Sequence, residues 1–436
     1  MLHPLKQLVD DQKNGIKKGI MSVCSANKYV IEAIMENAKK YDELVLIEST
    51  ANQVNQFGGY TGMRPGDFAA FVYRIAEETG FNRSKLILGG DHLGPLTFIK
   101  EDKETAMELA RDLIEEYVMA GFTKIHIDTS MKVASDDIDI KLSDEIIAGR
   151  GAMLCKTAEE AYGKLLVKNP DALAPVYIVG SEVPTPGGAQ GEEEGLQVTK
   201  VADFEATVRS FEDEYEKQGI SKAWDRVIAI VVQPGVEFGD TTIDEYDRGK
   251  TSNLVKAING YPGLVFEGHS TDYQTPEKLR EMVEDSVAIL KVGPAVTFAL
   301  REALFALNTI EEEMLSGSSV HLSRFKKVLE NEMLKSPGNW QKHYVGSLDN
   351  LEFKRKYSMS DRSRYYLPCE QVSKSIERLV KNLEGVEIPL TLLSQYMPVQ
   401  YTKVRSGQLE NSPEALIKDR VVNYADEYAY ACGREM

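Results

Sequence analysis

A chain of 436 residues is long enough for one large core domain plus an extension. Its 42% hydrophobic and 27% charged residues are those of a globular protein and exclude a fibrous or disordered one. The net charge of −17 argues against nucleic acid or an anionic membrane surface as a partner, while a small anionic substrate still fits a locally positive pocket.

The N-terminal stretch MLHPLKQLVDDQKNG lacks the apolar core of a secretory signal. No stretch approaches the roughly 20 apolar residues of a membrane span. A cytoplasmic location is expected. The four cysteines, Cys24, Cys155, Cys369 and Cys432, are far apart, form no CxxC pair, and are expected as reduced thiols.

Eight short apolar runs then follow in order: GIMSVCSA (19–26), ELVLIEST (43–50), KLILGGDH (85–92), KIHIDTS (124–130), VYIVGSEV (176–183), VIAIVVQPG (227–235), LVFEGHST (264–271) and AILKVGPA (288–295). Their near-continuous apolar character is that of strands buried on both faces, as in a parallel sheet. Charged segments of helical period separate them. In KETAMELARDLIEEYVMAG (103–121), Met107, Leu109, Leu113, Ile114 and Val118 recur at three-to-four spacing and Gly121 suits a C-cap. Eight strand–helix units in about 300 residues predict an α/β fold, a (β/α)₈ TIM barrel, over a doubly wound open sheet, which would carry a glycine-rich fingerprint after its first strand. From Arg301 onward the patterns are mostly helical. The expected organisation is a barrel carrying the site over 1–300 and a helical C-terminal extension over 301–436, packed on the barrel or on a partner.

In such a barrel the active site is built at the C-terminal ends of the strands. Polar residues fall there repeatedly: Glu48, Asp91 and His92, His126 and Asp128, Glu182, Gln233, Glu267 and His269, and Lys291. Residues two apart share a face, so how many members of each pair point inward stays open; the glycines 89 and 90 would let Asp91 swing in. His92, Glu182 and His269 are the preferred metal set, since histidines and a carboxylate converging on one cavity suit zinc, with manganese, nickel or cobalt also fitting. A divalent ion that polarises a ketose carbonyl, with Asp91, Asp128 or Glu48 as acid/base, supports aldol cleavage, aldol addition or epimerisation of a sugar.

Two loops are unusually polar and small, and the first suits a polyol site. ANQVNQFGGYTGM (51–63) offers Asn52, Gln53, Asn55, Gln56 and Tyr60, whose amides both donate and accept. EVPTPGGAQGEEEG (182–195) has the composition of a lid. GHSTDYQT (268–275) presents Ser270, Thr271, Asp272 and Gln274 before a helix start, where a phosphate could sit; VGPAVTFALRE, beyond Lys291, offers a second such start.

SVCSAN, NQVNQFGGYTGM, GGDHLGP, KIHIDTSM, SEVPTPGG, VVQPGVEF, HSTDYQT, LKVGPA-TFALREA, SDR-RYY and LSQYMP, in this order, resemble the Z-subunit family of the class II tagatose-bisphosphate aldolases, nearly end to end. The resemblance implies a TIM barrel with a helical C-terminal extension and two functional alternatives. One is a metal-dependent 4-epimerase interconverting tagatose and fructose or their 6-phosphates. The other is a non-catalytic subunit that stabilises a separate aldolase subunit in galactitol or N-acetylgalactosamine breakdown; a homo-oligomer is compatible with either. Asp91-His92 and His269 look like counterparts of aldolase metal-site residues, with Glu182 in place of a further histidine. HSTDYQ replaces the glycine-rich phosphate loop of the aldolases. Retro-aldol cleavage and re-addition would serve the epimerase, with Asp91 and Asp128 handling the C4 hydroxyl proton on opposite faces.

Overall fold

The computed structural model describes residues 2–183 and 196–434. Its centre is a closed barrel of eight parallel strands: β1 (Ile20–Cys24), β2 (Val45–Thr50), β3 (Leu86–Leu93), β4 (Lys124–Ile127), β5 (Val176–Val179), β6 (Val227–Val232), β7 (Val265–Gly268) and β8 (Val287–Val292). Each strand pairs with the next in sequence, and β8 closes on β1. All eight expected runs form strands. Five of them, those expected to end at 130, 183, 235, 271 and 295, stop three to four residues early, because Asp128, Glu182 and their counterparts have left the ladder to form the barrel mouth. A short hairpin, Glu237–Phe238 with Ile243–Asp244, was not foreseen and lies beyond β6. Residues 184–195 of the expected lid lie outside the described residues.

Helices cover the outside of the barrel. The segment 103–121 is helical over Lys103–Met119, capped at its start by the Asp102 side chain. Its Ala110, Leu113, Ile114 and Tyr117 face the strands and are fully buried. The first helix, Pro4–Lys13, inserts Leu5 and Val9 among Ile20, Leu46, Ile87 and Val176, closing the N-terminal end. These aliphatic residues form the ordinary lower layer of a packed barrel.

The residue-300 boundary falls inside one helix, Pro294–Leu315. From Arg301 on, the described residues contain no strand. The last helix, Pro413–Cys432, packs against the helices Lys28–Lys40, Pro276–Glu284 and Pro294–Leu315. Tyr428 ties it to the mouth by donating to the Thr271 carbonyl at 2.9 Å. No helix among the described residues is long and apolar enough to cross a membrane.

Candidate active site

The lower aliphatic layer gives way, one turn of pleat higher, to charge. Residues two apart on a strand share a face. So Leu46 and Glu48, Lys124 and His126, Val265 and Glu267, and Ile289 and Lys291 all project into the barrel. Lys124 is fully buried, with Nζ 2.6 Å from both Glu48 Oε1 and Glu267 Oε2. Lys291 joins Glu48 Oε2 and lies 3.0 Å from Asp91 Oδ1. An alternating chain Glu267–Lys124–Glu48–Lys291–Asp91 therefore crosses the interior. Gly89 makes room for it: a Cβ there would sit 2.6 Å from Glu48 Cγ.

Adjacent Asp91 and His92 both reach the mouth because β3 carries an extra residue. Gly90 pairs with Ile125 but Leu93 with Ile127, so β3 advances three residues while β4 advances two. His92 takes up the excess at φ 51°, in the left-handed region. Ser270, just after His269, is at φ 53°. Two non-glycine residues held in this sparsely populated region flank the same cavity, a concentration of strain common at functional sites.

Three imidazoles meet above the charged layer. The ring centroids of His92, His126 and His269 are 5.0–5.1 Å apart in every pairing. Each ring has its own carboxylate: His92 Nδ1 lies 2.8 Å from Asp128 Oδ2, His126 Nδ1 2.7 Å from Asp91 Oδ1, and His269 Nε2 3.0 Å from Glu267 Oε1. An ionised carboxylate only accepts, so the facing nitrogen donates to it; in a neutral ring the other nitrogen keeps its lone pair, and at His126 the His92 N–H also approaches Nδ1, at 3.2 Å. His126 Nε2 is buried with no hydrogen-bond partner. One atom each of Asp91, His126, Glu267 and His269 lies within 4.8 Å of the others, the spacing of ligands around one ion. The donor set fits a borderline divalent metal, since metal-binding histidines ordinarily donate their second ring N–H to a carboxylate.

Burial and charge oppose each other here. Burial alone would raise the Asp91 carboxyl, but His92, Lys291 and His126 hold it well below the usual carboxylate range. Burial likewise pushes Asp128 up, and the His92 hydrogen bond and charge bring it down to about 2. Burial lowers His269 to about 4, with Glu267 opposing.

The cavity beside this cluster is lined by Asp91, His92, His269 and Lys291, and above them by Asn52, Gln53, Tyr60, Ser270 and Asp272. The remaining sequence candidates do not line it. Asp128 is fully buried behind His92, with Oδ1 accepting from Ser130. Glu48 is held below by the two lysines. Asn55 donates to the Ala51 carbonyl and caps Phe57 and Gly59 N–H, while Gln56 donates to the Leu109 carbonyl. Thr271 bonds the Lys291 carbonyl, and Gln274 the Asp244 carbonyl and Tyr246 N–H. Of the expected metal set only His269 belongs to the four-residue group: His92 stands beside it, and Glu182 accepts from Thr199 Oγ1 at 2.6 Å, while His126, Asp91 and Glu267 make up the rest.

Lys124, Cys24, Phe238, Arg364 and Tyr365 were not among the sequence candidates. Cys24 Sγ lies 3.6 Å from Asp91 Oδ2, and Tyr365 packs on Tyr60 at 4.6 Å between ring centroids. His126 and Glu267 carried a signal, as partners of Asp128 and His269 two residues away. Arg364 and Tyr365 carried only the RYY motif.

Residues 5–433 match the model of the family described as D-tagatose-1,6-bisphosphate aldolase subunit GatZ/KbaZ-like. Among solved structures, the chain is similar to a protein from Sinorhizobium meliloti 1021 described as a probable tagatose 6 phosphate kinase, at 41% identity and TM-score 0.86 over 95% of this chain and 100% of that one. It also matches a fructose-bisphosphate aldolase from Campylobacter jejuni (16% identity, TM-score 0.45, 87% and 92% of the two chains). The YdjI aldolase from Escherichia coli K12 matches too (12%, 0.43, 88% and 98%). The chain belongs to the D-tagatose-1,6-bisphosphate aldolase subunit GatZ/KbaZ-like family.

Proposed function

We propose that this family member is a metal-dependent ketose 4-epimerase acting on a ketohexose or its 6-phosphate, of the tagatose/fructose type. The observation that carries the reading is the trio of buried imidazoles, each bonded to its own carboxylate, beside a cavity lined by Asp91 and Lys291. His126 and His269, which belong to the four-residue group, would hold the ion, with the adjoining His92 ring completing the set; zinc suits it, and manganese, nickel or cobalt also fit. When bound, such an ion supplies polarisation of the ketose carbonyl.

The C4 hydrogen of a 2-ketose is β to the carbonyl and is not acidic, so inversion needs another route. Loss of the proton from the C4 hydroxyl and cleavage of C3–C4 leave C4 as an aldehyde. Half a turn of that aldehyde, re-addition of C3 to its other face and return of the proton to the C4 oxygen give the epimer, with atoms balanced. Asp91, held ionised by Lys291 and two histidines, would accept and return this proton. Lys291 and the Asn52 and Gln53 amides would orient the sugar hydroxyls. Asp128 and Glu48 would act by position, the first holding the His92 ring and the second holding Lys291.

The test is turnover by the isolated chain on tagatose, fructose and their 6-phosphates, with added metal and with chelator. Metal-dependent C4 inversion, lost in Asp91→Asn, is expected. A second reading is favoured by the family description, which names an aldolase subunit. No turnover on any of the four sugars, together with activation of a separately supplied aldolase, would replace the epimerase by that reading.

A further inference from the structure

Inversion at C4 needs a proton-transferring group for each epimer. Asp91 can take the proton from the C4 hydroxyl of one epimer and return it to that epimer when the reaction runs backward. The half-turn of the aldehyde carries the C4 oxygen away from Asp91, so the other epimer needs its own partner within hydrogen-bond reach. Asp128, expected for that place, is fully buried behind His92. Several other groups on the cavity wall are engaged. His92 and His269 belong to the histidine cluster, and Lys291 is paired with Glu48 and with Asp91 itself. Asp272 Oδ1 accepts the N–H groups of Gly293 and Ala295 at 3.0 and 2.8 Å.

Tyr365 differs from these. It lines the same cavity from the wall that the C-terminal extension contributes, and it is only partly buried. Its ring packs on Tyr60 of the loop after β2, which steadies the phenol. Two guanidinium groups donate to its hydroxyl oxygen, Arg362 Nη1 at 3.4 Å and Arg364 Nη2 at 3.3 Å. An oxygen that accepts twice still has its own hydrogen to give. Cationic donors favour the phenolate over the phenol. Burial alone would raise the Tyr365 phenol, but Arg364 and Arg362 bring it below its ordinary value, whereas burial raises Tyr60 beside it. Lys342 adds positive charge from the preceding loop, and Arg364 in turn faces Asp361 and Asp272.

We propose that Tyr365 is the second acid/base of the epimerisation, serving the C4 oxygen of the epimer that Asp91 does not reach. The inference rests on the epimerase reading above and adds a catalytic residue to it. In one direction the C4 hydroxyl gives its proton to Asp91, C3–C4 breaks with its electron pair left on C3, and the aldehyde turns. That pair then re-forms the bond to C4, and the Tyr365 O–H passes its proton to the new C4 alkoxide. In the other direction the phenolate takes the proton and Asp91 gives one back. The two residues hold one proton between them before and after each turnover, and exchange with solvent restores its position.

Steady-state kinetics of the full zinc-loaded chain on D-tagatose, D-fructose and their 6-phosphates test this, with pH profiles of kcat/KM. Tyr365→Phe should lower kcat about 100-fold or more, the usual share of a proton-transferring group, with KM within about 3-fold and zinc content unchanged. In the parent protein kcat/KM should fall as pH rises through the ionisation of Tyr365, because the pair then holds no proton. Tyr365→Phe should lack that fall. Arg362→Gln takes one donor from the phenol oxygen and should move the fall to higher pH, which a mere packing role for Tyr365 would not do. Turnover of Tyr365→Phe within about 3-fold of the parent, a loss confined to KM, or an alkaline fall unchanged in both variants overturns the proposal and leaves the epimerase reading standing. Should Tyr365→Phe not fold by circular dichroism, Arg362→Gln decides, and an unmoved fall refutes the role. No C4 inversion by the parent chain on any of the four sugars removes the epimerase reading and this assignment with it.

Discussion

Lys124→Met probes whether the ionic layer is what steadies the histidine cluster. Methionine fills much of the same space without the charge. In the parent chain Lys124 Nζ is 2.6 Å from Glu48 and from Glu267, and all three side chains are fully buried. After the substitution Glu48 keeps Lys291 as a direct partner, while Glu267 keeps the His269 hydrogen bond, from a ring that burial holds near neutral with a pKa of about 4, and only the more distant charge of Lys291. One buried carboxylate therefore loses its compensation. Removing one partner of a buried pair costs about 3–5 kcal/mol. At ~2.1 cal/mol/K per residue, unfolding 436 residues carries roughly 0.9 kcal/mol/K of entropy, so the melting temperature should fall by about 3–5 °C. Urea titration and scanning calorimetry read the two quantities. The double variant Lys124→Met/Glu267→Gln removes the stranded charge and should recover about half of the loss, a coupling of 1–2 kcal/mol by order of magnitude. A loss below about 1 kcal/mol in the single variant, or strict additivity in the double, would refute the reasoning, since Lys124 would then not be compensating Glu267.

Three further outcomes follow from the same geometry. Asp128→Asn should weaken zinc affinity about 10–100-fold, read by competition with a chelating indicator, because His92 loses the carboxylate that fixes its ring. His126→Gln should weaken it more than Glu182→Gln, and the reverse order would make Glu182 the third ligand. Glu237 governs a pH response: burial raises its carboxyl from 4.5 to about 7, against an opposing hydrogen bond from Phe238 N–H. The folded state thus holds a proton that the unfolded chain releases near 4.5, and stability declines as pH rises between these values, by roughly 3 kcal/mol. Urea midpoints of the parent chain should show that decline between about pH 4.5 and 7, and Glu237→Gln should show a smaller one, because Asp272, raised by burial to about 6, adds a decline of the same sign. Gly94→Ala places a Cβ 1.8 Å from the Asp128 carbonyl oxygen, forcing the ends of β3 and β4 apart. A cost of at least 1–3 kcal/mol by the usual scale of overpacking is expected, with loss of turnover; an unperturbed melting curve counts against the close approach of the two strand ends.

Why some of this was legible in the sequence and some was not follows from what each residue depends on. The barrel depended on strand texture alone, and eight both-face apolar runs carried it. The Asp91-His92 pair was visible at a strand end with glycines before it, but its inward turn depends on a bulge against β4 and on a left-handed His92, which a two-residue alternation cannot encode. His126 and Glu182 were equivalent as letters at strand ends. Choosing between them needs the height of each residue along the barrel axis, which the stagger of all eight strands sets together. Lys124, at the first position of its strand, looks like any solvent-facing lysine until Glu48 and Glu267 are brought to the same level from β2 and β7. Arg364 and Tyr365 lie more than 70 residues beyond β8, and only the docking of the extension returns them to the mouth. Strand-end chemistry marks where a barrel acts; inter-strand register and the docked extension decide which of the marked residues meet.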